Sequence, residues 1–251
     1  MLPQKTLKHL NKLQQKKYRE EYAEFAVEGF KGVTEALKAR APIVLILLEG
    51  SKREESGFVE IIKQAEERGI EVSFLGRKDI GDIKTTEVFP GIMAVIEKPD
   101  ISLEDIQNQG PIICLNKPKD PGNLGTIIRS ADWFGISNLM LSEDSVDPYN
   151  PKVVRSSMGS LFHVSIFESK NLEQSLLKLK ESYKIIALNT KGEILDTLEP
   201  QARSIYLFGS ESTGLEPELE KLVDEQYTIP GRGQAESLNL AVAAGILMSK
   251  I

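Results

Sequence analysis

The stretch "IPGRGQAESLNLAVAAGILMSK", residues 229–250, decides how the rest of the chain is read. A strand-like end runs into Pro-Gly-x-Gly, small polar residues follow, and an apolar run then continues almost to the last residue. The periodicity predicts a helix over 236–249, with Ser237 as its cap and Asn239 in its first turn. "GRGQAE" begins like a dinucleotide fingerprint, but Glu236 stands where the third glycine belongs, so a nicotinamide site is not expected.

Working outward, the second half alternates regularly. Strands are predicted at 111–116, 138–142, 163–167, 184–189, 204–209 and 226–230. Helices are predicted at 122–134, 151–158, 171–182 and 216–222, besides the last one. Such alternation implies α/β architecture: a mostly parallel sheet with helices on both faces. The first half also alternates. "EFAVEGF" reads as a strand and "FKGVTEALKAR" as a helix with Phe30, Val33, Thr34 and Leu37 on one face. "PIVLILLEG" reads as a strand buried on both faces. A helix at 57–68 and the strands "IEVSFL" and "GIMAVIEKP" complete a smaller α/β unit. Polar residues with Pro and Gly at 97–110 mark the boundary, giving domains 1–105 and 106–251.

In an open parallel sheet, ligands bind beyond the C-terminal ends of the strands. Two further loops there are chemically rich. In "NKPKDPGNLGTIIRSADWFG", 116–135, Asn123 can cap a helix whose Leu124, Ile127, Ile128, Ala131 and Phe134 face the core, with Gly135 ending it. Arg129 interrupts that apolar pattern. If buried it needs a carboxylate, a phosphate or carbonyls; otherwise it snorkels to the surface. In "SIYLFGSESTGLEPEL", 204–219, Gly209 ends a strand and Glu211 lies in the turn before Gly214. Gly-x-Ser-x-Gly is not satisfied there, and no Gly-Lys-Ser/Thr follows, so neither a nucleophile elbow nor a phosphate loop is present.

Composition narrows the class. The 251 residues are 41% hydrophobic and 27% charged, which suits a globular protein with a real core. The longest apolar stretch is too short to span a bilayer, and no secretory signal is visible. Cys114 is the single cysteine, so no internal disulfide forms. His9 and His163 lie far apart without cysteine partners, so no metal site is expected. A cytoplasmic protein is the simplest reading. Net charge is −6, yet residues 1–19 carry six Lys/Arg and no acid, leaving −12 on the remainder. Leu7, Leu10 and Leu13 recur among those lysines, as in a basic amphipathic helix. This segment is either a solvated helix face or a surface for an anionic partner such as nucleic acid.

"NLGTIIRSADWFG", "LFGSESTGL" and "IPGRGQAESLNLAVAAG", in that order, resemble the three motifs of the SpoU (TrmH-like) RNA ribose methyltransferases. "KKYREEYAEFAVEGFKGVTEAL" resembles the substrate-binding domain that many members carry. The resemblance implies a deep trefoil knot in the C-terminal domain and a smaller N-terminal substrate-binding domain. It implies S-adenosylmethionine bound near Asn189, Thr190, Gly209, Ile229 and Leu238, the glycine turn allowing close backbone approach. It implies methyl transfer to a ribose 2′-hydroxyl with Arg129, Asn123, Glu211, Ser237 and Asn239 in the catalytic site. It implies a homodimer formed through the knot and an RNA substrate, ribosomal before transfer RNA. Lys12, Lys16, Lys17 and Arg19 would meet RNA phosphates. Gly231, Ser130 and Ala241 depart from the residues members commonly have, Met, Thr and Ser, and none of the three removes a catalytic group.

Two rivals remain at this point. A non-catalytic RNA-binding protein of the same fold would bind RNA without the methyl donor. An oxidoreductase on a doubly wound sheet would bind a nicotinamide cofactor.

Overall fold

The structure is a computed structural model that describes residues 2–83, 88–107, 110–210 and 214–251. In chain order the elements of the first half are α1 (Gln4–Lys12), α2 (Lys16–Tyr22), β1 (Glu24–Glu28), α3 (Phe30–Lys38), β2 (Ile43–Glu49), α4 (Ser56–Glu67), β3 (Glu71–Leu75), α5 (Arg77–Asp82) and β4 (Ile92–Glu97). Next come α6 (Leu103–Ile106), β5 (Ile112–Leu115), α7 (Pro121–Trp133), β6 (Asn138–Ser142), α8 (Pro151–Ser156), β7 (Ser165–Ser169) and α9 (Leu172–Leu179). The chain closes with β8 (Lys184–Ile194), β9 (Ser204–Phe208), α10 (Pro217–Glu220), β10 (Glu225–Thr228) and α11 (Leu240–Met248).

The chain divides into two compact units. One comprises Met1–Asp100 with Tyr149–Phe162, the other Ile101–Pro148 with His163–Ile251. The first unit is built on a four-stranded sheet of order β1-β4-β2-β3. It is mixed: β4 runs antiparallel to β1 and β2, whereas β2 and β3 are parallel. Leu7 and Leu10 of α1, with Leu13 after it, are buried against Leu47, Met93 and Val95 of this sheet. The helix therefore has the apolar face expected. The strand "PIVLILLEG" is not buried on both faces throughout, because Val44 is 42% exposed. Phe30 is exposed too, so the buried face of α3 is Val33, Ala36 and Leu37.

A segment from the second half of the sequence completes this first unit. Tyr149 packs its ring 4.7 Å from Phe25, and Phe162 approaches the same ring at 6.4 Å. At Gly159, φ is +96°, and a Cβ would stand 2.7 Å from the Glu35 side chain, so this close approach requires glycine.

The second unit holds a six-stranded sheet of order β10-β8-β9-β5-β6-β7. Every pairing in it is parallel. Its central strands β5 and β9 are buried at every residue and almost wholly apolar, as expected of strands covered on both faces. Cys114 lies in this core, and burial pushes its thiol well above the ordinary range, leaving it unreactive. Leu124, Ile127, Ile128 and Ala131 of α7 are fully buried, but Phe134 is 40% exposed because the helix has ended beneath it. Gly135, at φ +74°, makes the left-handed exit.

Candidate active site

In the second unit all strands run the same way, so β5, β8, β9 and β10 release their loops at one edge of the sheet. A cleft of about 1380 Å³ opens there. From β8 it takes Leu188, Asn189 and Thr190; from the exit of β9 it takes Phe208, Gly209, Ser210 and, after the turn, Gly214 and Leu215. The chain leaving β10 lines the rest, from Thr228 and Ile229 through Gly231, Ser237 and Leu238 to Asn239. Asp120 and Asn123, at the start of α7, complete the wall.

Two asparagines bind this wall together. Asn239 is the N-cap of α11: its Oδ1 accepts from the N–H groups of Ala241 at 2.9 Å and Val242 at 3.3 Å. Its Nδ2 donates to Asn123 Oδ1 at 2.9 Å. The α7 cap is Asp120, whose Oδ1 accepts from Asn123 N at 2.7 Å. Both cap assignments made from sequence therefore move. Asn239 caps α11 in place of Ser237, and Asp120 caps α7 in place of Asn123. In each case the acceptor sits one turn from the N–H it serves, while Asn123 lies inside its helix and Ser237 too far before its own. The last helix consequently begins at Leu240, four residues later than the 236 expected.

The glycines of the cleft are of two kinds. A Cβ on Gly209 would lie 2.4 Å from the Gly214 carbonyl carbon and 2.7 Å from Leu215 N, so only glycine allows this close approach. Ser210 and Gly214 then exchange backbone hydrogen bonds of 2.9 and 3.1 Å. At Gly231 and Gly233 a Cβ would meet nothing within 4 Å. The fold does not require those two; they keep the cleft wall bare backbone, which a ligand can approach closely.

Comparison with known proteins fits this geometry. The SpoU rRNA Methylase family model matches residues 110–249, and an MRM3-like substrate binding domain matches residues 4–94.

The chain belongs to the SpoU rRNA methylase family.

It is 33% identical over 244 residues, 96% of this chain and 94% of the relative, to the 23S rRNA (guanosine(2553)-2'-O)-methyltransferase RlmP of Bacillus subtilis. It is 28% identical over 237 residues, 90% of this chain and 81% of the relative, to the 23S rRNA (uridine(2479)-2'-O)-methyltransferase of Streptomyces viridochromogenes. Among solved structures, an AdoMet-bound rRNA methyltransferase from Sinorhizobium meliloti superposes with a TM-score of 0.85 at 30% identity. That match covers 100% of this chain and 95% of the other. As a SpoU-family enzyme the chain is an S-adenosylmethionine-dependent RNA 2′-O-ribose methyltransferase.

The cleft suits that cofactor. Leu188, Leu215, Ile229 and Leu238 offer apolar surface for an adenine ring. Asn189, Thr190 and the bare backbone around Gly209 and Gly231 offer hydrogen-bonding groups for a ribose and an amino acid moiety. Among the described residues no group of three or more His, Cys, Asp or Glu could hold a metal ion, and no helix is long and apolar enough to cross a membrane.

Eight of the residues singled out from sequence meet in this SpoU cleft: Asn123, Asn189, Thr190, Gly209, Ile229, Ser237, Leu238 and Asn239. Glu211 lies outside the described residues. Arg129 does not line the cleft of its own chain. It is exposed on α7, because the opposite face of that helix is filled by Leu124, Ile127, Ile128 and Ala131. Its exposed stripe also holds Trp133, four residues on and 83% exposed.

The N-terminal cations divide. Lys16 and Lys17 are exposed, and Lys16 pairs with Glu20 at 3.6 Å. Lys12 donates to the Tyr22 hydroxyl at 2.8 Å, a bond that raises its pKa, and its ammonium lies 4.7 Å from the Tyr18 ring centre. Arg19 is a correction. It is 3% exposed and donates from Nη1 to Leu13 O at 2.7 Å, so its guanidinium holds the α1–α2 corner from inside and is withdrawn from any phosphate.

Several residues of the cleft wall had no role assigned from sequence, Asp120 and Arg232 among them. For Asp120 the signal was available: Asp followed by Pro at the first helical position is a helix-start pattern.

Proposed function

We propose that this SpoU-family enzyme methylates a ribose 2′-hydroxyl in ribosomal RNA, as a homodimer working in the cytoplasm. The observation that carries the site assignment is the gathering of Asn123, Asn189, Gly209, Ile229, Ser237 and Asn239, drawn from four separate segments of the chain, on one cleft at a single edge of the sheet. The ribosomal substrate is supported by the likeness to two 23S rRNA ribose methyltransferases across at least 90% of the chain.

The dimer is supported by the character of two helices. Every residue of α11 from Leu240 to Met248 is apolar or glycine, yet Val242 is 50% exposed. Trp133 on α7 and Leu238 before α11 are exposed as well. An all-apolar helix that stays partly exposed needs a partner surface. A second copy covering this patch, with the chain threaded into the family's trefoil knot, would also cover Arg129, which shares its stripe with Trp133. Arg129 would then complete a site at the interface instead of within its own cleft.

When bound, S-adenosylmethionine supplies an electrophilic methyl group. This chain does the rest. Asn189, Thr190, Gly209, Ile229 and Leu238 hold the donor, while Ser237, Asn239 and Asn123 fix the loop against α7 and α11. The attacking hydroxyl must lose its proton as the new bond forms. A guanidinium stays protonated, so Arg129 is no base. It clamps the phosphate next to the target ribose and stabilises the developing alkoxide, and a phosphate oxygen takes the proton. Glu211 would orient Arg129. Lys12, Lys16 and Lys17 capture RNA through phosphates.

Mapping 2′-O-methyl groups on total RNA from cells with and without the gene tests the substrate. One ribosomal position should lose its methyl group on deletion. Loss confined to transfer RNA would replace the substrate, and no change anywhere would overturn the reading.

A further inference from the structure

We propose that Glu216 is a positioning residue for methyl transfer, its carboxylate tying the segment that leads into α7 to the segment that begins at Gly214. Glu216 occupies the N-cap position of α10, yet its side chain makes no capping hydrogen bond to that helix. It reaches across the sheet edge instead. Oε2 accepts from Asn116 Nδ2 at 3.0 Å, and Oε1 accepts from Lys117 Nζ. The partners lie about a hundred residues away in sequence, and both bonds involve an ionised group, the stronger kind.

Both partners are themselves fixed. Asn116 is 2% exposed, and its N–H donates to Phe208 O at 2.9 Å, so its buried amide needs the acceptor that Glu216 provides. Lys117 adopts φ +56°, a conformation that side-chain-bearing residues avoid, and its N–H donates to Ser142 Oγ at 2.7 Å. From Lys117 three residues lead to Asp120 and six to Asn123, both in the cleft wall. Immediately before Glu216 stand Gly214 and Leu215, on the opposing wall. The carboxylate thus joins the two walls just where each leaves the cleft. The hydrogen bond from Lys117 holds Glu216 below its ordinary pKa, and the same bond raises Lys117, so both stay ionised around neutrality.

The surroundings say what happens when the tie is cut. Asp144 lies 3.9 Å from Lys117 Nζ, and Glu143, Glu173 and Glu218 line the small neighbouring hollow. Without Glu216 the ammonium re-pairs with Asp144, and Asn116 loses its acceptor. The start of α7, with Asp120 and Asn123, is then drawn off its position, and the damage falls on the cofactor cleft. This inference rests on the assignment of that cleft to S-adenosylmethionine.

The test compares E216A, E216Q, K117M and the E216A/K117M double variant with the wild type. Cofactor affinity is read by calorimetry, methyl transfer to ribosomal RNA with labelled S-adenosylmethionine, and folding by thermal melting. E216A should weaken cofactor binding about tenfold, with KM for RNA within about twofold of wild type. E216Q, which keeps an amide oxygen for Asn116, should fall between. The double variant should be no worse than E216A alone, because both substitutions cut one tie. Unchanged cofactor affinity in folded E216A, or losses that add in the double variant, would overturn the proposal. Gly209→Val separates it from the cleft assignment. If G209V abolishes cofactor binding and E216A does not alter it, the tie is wrong and the cleft stands; if neither variant alters it, both are wrong.

Discussion

The two sheets of this protein use the same ingredients to different ends. In the six-stranded sheet every pairing is parallel, so the loops after β5, β8, β9 and β10 leave from one edge and their side chains converge. Residues as distant in sequence as Asn123 and Asn239 end 2.9 Å apart. In the four-stranded sheet β4 runs against its neighbours, so successive connections do not collect at one edge in this way. The exposed cations Lys16 and Lys17 of that unit lie on a helix surface. Chemistry that needs several groups converging on one atom suits the first arrangement; exposed lysines such as those of the second are the groups that a phosphate contact would use.

The contrast breaks most visibly at Gly209. G209V places a side chain where 2.4 Å already separates a Cβ from the next strand of backbone. Cofactor affinity should fall by about a hundredfold or more, since misplaced contact groups cost on that scale. RNA affinity should hold if, as proposed, capture belongs to the other unit. A calorimetric titration that found ordinary cofactor binding would break the division of labour. Next in size is R129K, which should lower kcat about a hundredfold with cofactor affinity intact if Arg129 is the proposed bidentate clamp. Near-full turnover at neutral pH would show that a point charge is enough.

Two smaller effects sharpen the account of the first unit. R19M should cost roughly 2 kcal/mol of stability, the scale of a buried hydrogen bond from a charged donor, read as a lowered melting midpoint. It should leave the salt dependence of RNA binding unaltered. The pair K16E/K17E should do the reverse, raising KM for RNA about tenfold at low salt and flattening the salt slope, with melting unchanged. If R19M flattened the slope instead, the buried guanidinium would be reaching phosphate after all.

Much of the second unit was legible in the residues. Its inner strands and the helix from Pro121 to Trp133 follow from apolar runs and 3.6-residue periodicity, which depend on local pattern. Gly209, Ile229, Ser237, Leu238 and Asn239 were legible as residues that follow strands, because a parallel sheet dictates where such segments go; Asn189 and Thr190 lie within β8, which runs on to Ile194, and Asn123 lies within α7. The caps were misplaced by a few residues. Ser237 and Asn239 are both competent, and only the path of the chain selects the one whose oxygen meets free N–H groups. Phe30 and Phe134 looked like core because hydrophobicity counts residues, whereas exposure depends on what lies opposite.

The sequence by itself determined that this is an α/β protein with three glycine-bearing loops at strand ends and a basic N-terminal segment, since each of these is written in short-range pattern and composition. Only the tertiary structure decided that Tyr149–Phe162 packs with the first unit, that Arg19 faces inward, that Arg129 stands outside its own cleft, and that Glu216 reaches Asn116 and Lys117. Several of those facts turn on pairs of groups a hundred residues or more apart, and no local signal encodes which distant partner a side chain meets.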